Sequence, residues 1–157
     1  MKANDVMTTA ARTCGLDTNL AAASEIMWNA DCGILPVVDR DDNVVGVITD
    51  RDICIAVGSR GWLACDIAVK DVMSGNVFAC RPDTDIRDAL ATMRGEKVRR
   101  LVVANPDGRV AGILSLDDIA VAAQSGVGGR QPDLSLGDVA LTLKAICRRP
   151  LVQAKTM

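Results

Sequence analysis

The chain has 157 residues, 49% of them apolar and 24% charged, which suits a protein about one ordinary domain in size with a packed core. It contains no histidine, so histidine nucleophile pairs, histidine general bases and histidine metal ligands are all excluded. A formal charge of −2 and an aromatic content of 2% leave little to grip a phosphate backbone or stack bases, so no nucleic-acid partner is expected.

The N-terminus, Met1-Lys2, runs into polar residues rather than an apolar leader, and a cytoplasmic protein is expected. Apolar runs such as 53–57 and 119–123 reach about five residues, against roughly 18 for a membrane span, so no membrane partner is expected either. Asp5-Val6-Met7 opens a segment that returns 66 residues later as Asp71-Val72-Met73. At that same offset, without a gap, residues 5–53 match residues 71–119 at 15 of 49 positions. Chance would give about three, so the chain is a tandem duplication of one unit.

Each unit reads the same way. A short strand, 77–80 in the second copy, precedes a helix whose inward stripe is Leu20, Ala23, Ser24 and Met27 in one copy and Ile86, Ala89, Leu90 and Met93 in the other. Thr84 is the expected N-cap of the latter. Two β-rich runs around a turn cluster follow, 35–38 with 44–48 and 101–104 with 110–114, and make a hairpin. A second helix closes each unit, at about 50–57 and 116–123. The unit is thus β-α-β-β-α, an α/β (α+β) fold of about 60 residues that is marginal alone, so the two copies should pack together. The expected division is 1–62, 66–124, and a linker with a C-terminal amphipathic helix at 125–157. Ser135 and Asp138 form a capping-box signal, and Leu136, Val139, Ala140, Leu143 and Ile146 form the stripe expected to dock on the core or on a sister subunit. The six cysteines include no C-x-x-C pair and most have apolar neighbours, so small buried thiols are expected, with no metal site.

Thr49-x-x-Asp52 and Ser115-x-x-Asp118 hold the chemistry. Each is what a helix start after a strand requires, since the hydroxyl caps an N–H and the carboxylate suits the positive helix end. The same geometry facing a cleft offers N–H groups and a hydroxyl to a phosphate, and a carboxylate to ribose hydroxyls. No tuned base stands beside a nucleophile, no P-loop is present, and no catalytic residue is expected.

Residues 31–53, with Gly46-Val47-Ile48-Thr49-Asp50-Arg51-Asp52-Ile53, resemble a cystathionine β-synthase (CBS) domain, as do residues 98–119 with Gly112-Ile113-Leu114-Ser115-Leu116-Asp117-Asp118-Ile119. The resemblance covers about residues 3–123 and implies a CBS pair, or Bateman module, packed with pseudo-twofold symmetry around two clefts. Such pairs commonly take AMP, ADP, ATP or S-adenosylmethionine, with Mg²⁺ only alongside a polyphosphate, and usually form homodimers. Carried over, it assigns Thr49 and Asp52 to one cleft, Ser115 and Asp118 to the other, and adenine to Ile34, Leu35 and Pro36 or to Leu101 and Val102. Arg99 and Arg100 stand where some relatives contact phosphate, and Arg51 is matched by Asp117 in the second copy, so the clefts should be unequal. The function implied is a non-enzymatic regulatory module acting through a partner protein or altered dimer packing; the alternative is a structural interaction module with empty clefts.

Overall fold

The computed structural model describes residues 1–123 and 134–148; the expected linker at 125–132 lies outside them. Unit one contains β1 (Cys14–Gly15), α1 (Leu20–Asn29), β2 (Ile34–Val38), β3 (Val44–Thr49) and α2 (Asp50–Arg60). Unit two repeats the order as β4 (Ala79–Cys80), α3 (Ile86–Glu96), β5 (Arg100–Ala104), β6 (Val110–Ser115) and α4 (Leu116–Ala122). Each sheet has three strands, the first parallel to the second and the second antiparallel to the third.

Register follows the duplication: Ile34 faces Thr49 as Arg100 faces Ser115, and both hairpins slip at the equivalent pairs Val37/Val38 and Val103/Ala104. Strand alternation sends Leu35 and Val37 into one core and Leu101 and Val103 into the other, against the stripes of α1 and α3. Fully burying a leucine such as Leu90 or Leu114 contributes roughly 1.5–3 kcal/mol.

The leading segments are exchanged between the units. Ala3, Val6 and Met7 pack into the core of unit two, while Val69, Val72 and Met73 pack into that of unit one. Thr8 exchanges backbone hydrogen bonds with Ile113 at 2.9 and 3.1 Å, and Ser74 does so with Val47 at 2.9 and 3.0 Å. Gly46 and Gly112 permit this approach, because a Cβ on Gly112 would lie 2.5 Å from the Thr8 carbonyl oxygen. The hairpin tips also meet, Val44 N donating to Gly108 O at 3.2 Å. Interdependence of two marginal units is therefore built into the backbone.

Three expectations are corrected. The cap of α3 is Asp85, whose carboxylate accepts from Arg87 N at 2.9 Å; Thr84 instead closes the preceding turn by accepting from Arg81 N. The C-terminal helix α5 (Leu136–Cys147) docks on α3 and α4, but only Val139 and Ile146 of its expected stripe pack inward. Leu136, Ala140 and Leu143 face outward with Leu141, because α3 presents Arg94, and the buried Thr142 answers it by accepting from Arg94 Nη1 at 3.0 Å. The cysteines divide as well: Cys14 is buried and Cys32 and Cys80 are partly so, whereas Cys54, Cys65 and Cys147 are exposed. Cys54 follows buried Ile53 on α2 and so turns to the outer face.

Candidate functional site

Among the described residues, two pseudo-equivalent clefts combine residues of both units. The first, about 820 Å³, is walled by the start of α2 (Thr49 to Asp52) from unit one and by residues 97–100 from unit two, over a floor of Ile34, Val47 and Val102. The second, about 310 Å³, takes Ser115, Asp117 and Asp118 from unit two and residues 30–34 from unit one. Each cleft thus combines the helix start of one unit with the helix-to-strand turn of the other. These volumes lie near the upper and lower ends of the range usual for small-molecule sites.

The turns are set by local backbone. In unit two, α3 ends on Lys97 in the left-handed conformation, φ 56°, and in unit one Asp31, the residue equivalent to Lys97, adopts φ 48°. This reverses the chain and presents the next three residues at a cleft mouth. The pseudo-symmetry then sets Lys97-Val98-Arg99-Arg100 in the first cleft against Asp31-Cys32-Gly33-Ile34 in the second. Arg51 in the first is matched by Asp117 in the second.

The charge contrast follows directly. The first cleft carries four cations, Arg51, Lys97, Arg99 and Arg100, against Asp50 and Asp52. The second carries Arg12 and Arg100 against Asp31, Asp117 and Asp118. None of the first cleft's four cations pairs with a carboxylate among the described residues. A surplus of positive charge on a concave surface attracts anions by Coulomb's law, most effectively where the walls exclude water.

Both predicted motifs are complete capping boxes. Asp52 Oδ2 accepts from Thr49 N at 3.0 Å and from Thr49 Oγ1 at 2.7 Å, while Thr49 Oγ1 accepts from Asp52 N at 3.2 Å. Ser115 and Asp118 repeat this at 3.1, 2.6 and 3.0 Å. So do Ser135 and Asp138 on α5, where the Ser135 hydroxyl holds the Asp138 carboxyl below its ordinary range. The motif alone is therefore a cap, and only its place in a cleft separates the first two copies from the third.

One expectation about these helix starts is corrected. The first amides of α2 are not free for a phosphate: Asp50 N donates to Gly33 O, Arg51 N to Asp50 Oδ1 and Asp52 N to Thr49 Oγ1. An anion in this cleft must be met by side chains. What remains open on half-buried Asp52 is Oδ1, which accepts no hydrogen bond among the described residues.

Among the predicted residues, Thr49, Asp52, Ile34, Arg51, Arg99 and Arg100 come together in the first cleft, and Ser115 and Asp118 line the second with Ile34 and Arg100. Leu101 does not join them. It is fully buried in the core of unit two, because its strand neighbours Arg100 and Val102 occupy the cleft side. Leu35 is buried in the core of unit one for the same reason. Pro36 shares the strand face of Ile34 but is buried and lines neither cleft. Lys97, Ser74, Asn76 and Phe78 line the first cleft without having been singled out; the basic run 97–100 was the available signal for Lys97.

Comparison with known proteins decides the family. The CBS domain family matches residues 3–59 and 69–125. The chain belongs to the CBS-domain family. The CBS domain-containing protein YhcV of Bacillus subtilis is 31% identical over 121 residues, covering 77% of this chain and 84% of that protein. Inosine-5'-monophosphate dehydrogenase of Methanocaldococcus jannaschii is 33% identical over 118 residues, and the match spans 75% of this chain but only 23% of that enzyme. Among solved structures, CBSX2 in complex with AMP superposes with a TM-score of 0.66 at 26% identity, over 77% of this chain and 94% of that one. The fold of this CBS pair is that of two tandem units with a helix added after the second.

Proposed function

We propose that this CBS pair is a non-enzymatic regulatory module that binds a phosphate-bearing adenosine nucleotide, first of all in the larger cleft. The observation that carries the reading is that Asp52, whose Oδ1 accepts no hydrogen bond among the described residues, shares one cleft with Arg51, Lys97, Arg99 and Arg100, none of them paired with a carboxylate among those residues. A ribose donates its hydroxyls to that carboxylate, and phosphates take Arg99, Arg100, Lys97 and Arg51 through charge-assisted hydrogen bonds. Adenine packs on Ile34, Val47 and Val102. Mg²⁺ enters only with a polyphosphate. The AMP held by CBSX2 supports the ligand class. S-adenosylmethionine, with its sulfonium charge, is disfavoured among four cations and better suited to the second cleft, where Ser115 and Asp118 take the ribose beside Asp117 and Asp31.

Occupancy acts through the packing of the two units, whose exchanged leaders line the clefts at Thr8 and Ser74, and is passed to a protein partner or a second copy. The pair forms a homodimer through the α1–α2 face, where Trp28 is 85% and Ile55 56% exposed.

A second reading, a structural interaction module with empty clefts, is favoured by one observation: both capping boxes are satisfied without a ligand. Thermal unfolding of the full chain with AMP, ADP, ATP or S-adenosylmethionine separates the two. Ligand at 100 times its Kd adds about 2.7 kcal/mol and raises the midpoint by roughly 5–10 °C. We expect such shifts with the nucleotides and a smaller one with S-adenosylmethionine. A flat panel establishes the structural reading.

A further inference from the structure

We infer that the last turn of α5 is a wall of the first cleft, so that nucleotide binding there and the docking of α5 reinforce each other. This inference rests on the ligand reading proposed above. Helix α5 lies outside both segments that match the CBS family, yet Ile146 and Cys147 line the first cleft beside residues of both units. The second cleft has no such wall, its described lining coming entirely from residues 8–118. Cys147 Sγ lies 3.7 Å from Arg99 Nη2, the one hydrogen-bond partner of that guanidinium among the described residues.

A thiol is a weak acceptor and a phosphate oxygen a strong one, so a nucleotide that takes over Arg99 gives up little at Cys147 and gains the wall formed by Ile146 and Cys147. The anchor of α5 is elsewhere. Arg94 donates to buried Thr142, and Leu134, 1% exposed, packs in the core of unit two beside Val139. Neither Arg94 nor Thr142 lines the first cleft. Because coupling between two events is reciprocal, whatever loosens α5 weakens the ligand, and the ligand protects α5. The helix is thereby a readout of the first cleft that neither CBS unit supplies.

The test needs the unaltered chain first. Thiol modification in the absence and presence of saturating ADP is followed peptide by peptide, with Cys65, exposed and outside the cleft, as internal reference. ADP is expected to slow modification of Cys147 about fivefold or more and to leave Cys65 unchanged. Calorimetric titration of Ile146→Ala and Thr142→Val should give ADP affinities weaker by about three- to tenfold, whereas Leu141→Ala, on the outward face, should match the unaltered chain. Equal labelling of Cys147 with and without bound ADP, together with unchanged affinity in both variants, overturns the inference while leaving ligand binding intact. An unaltered chain that binds no ADP at all overturns the ligand reading and this inference with it.

Discussion

Replacing Asp52 by alanine separates its two roles, and the structure allows each to be weighed. The carboxylate accepts from Thr49 N and Thr49 Oγ1, so its loss opens the capping box of α2 and costs about 1 kcal/mol. At roughly 2–4 °C per kcal/mol for a chain of this length, the midpoint falls by about 2–4 °C. The matched control is Asn19→Ala, which removes the cap of α1 (Asn19 Oδ1 accepts from Ala22 N at 2.9 Å) outside both clefts. Its loss should be similar. The variants diverge when ADP is added. Asn19→Ala should keep the full ligand-induced rise, whereas Asp52→Ala loses the charge-assisted bonds to ribose, worth about 1.5–3 kcal/mol each and hence at least tenfold in Kd. The assay is a thermal melt of each variant with and without ADP, paired with circular dichroism to show that the fold persists. Equal ligand-induced shifts in the two variants would refute the assignment of Asp52 to the ligand.

Further outcomes follow from other parts of the molecule. Gly112→Ala drives a Cβ against the Thr8 carbonyl and should destabilise by about 2 kcal/mol, seen as a midpoint drop of roughly 4–8 °C. Burial pushes the Cys14 and Cys80 thiols up to about 11. Unfolded thiols ionise near pH 8.5, so the stability these groups confer is full below that value and lost as pH rises through about 11. Urea midpoints between pH 8 and pH 11 in reducing buffer check this, and Cys14→Ala should flatten the decline. At the acid end, hydrogen bonds from the Asn43 amide to Asp39 and from the Ser135 hydroxyl to Asp138 hold both carboxyls below their ordinary range. Their contribution is present above about pH 4 and lost as pH falls through the folded values, and Asp39→Asn should weaken that dependence in acid melts. Trp28→Asp on the α1–α2 face should yield a monomer where the unaltered chain sediments as a dimer.

The fold was legible in the sequence because duplication prints the same pattern twice. The offset of 66 residues, the apolar stripes of α1 and α3 and the paired runs around each turn fall where the elements lie. What sequence missed depends on parity or on partners distant in the chain. The family resemblance places Leu101 on the adenine wall, but a strand alternates faces and Arg100 and Val102 take the cleft side, leaving Leu101 to the core. Hydrophobicity alone predicts a five-residue stripe on α5, whereas the helix turns buried Thr142 inward to meet Arg94 on α3. The exchange of leaders carries no local signature, since Ala3 and Val69 are apolar in either arrangement. At the site, the helix starts and the basic turn were visible separately. Their meeting in one cleft follows from the packing of the two units, and so does the occupation of the α2 amides that a free phosphate would have needed.

Calorimetric titration of the 157-residue chain with ADP at low and physiological salt tests the central claim most directly. The account predicts saturable binding that weakens as salt rises, since four exposed or half-buried cations meet the phosphates. The same titration of Arg99→Ala should give weaker binding and a shallower dependence on salt. An absence of saturable heat from the folded protein, or an affinity indifferent to both salt and Arg99, would contradict it.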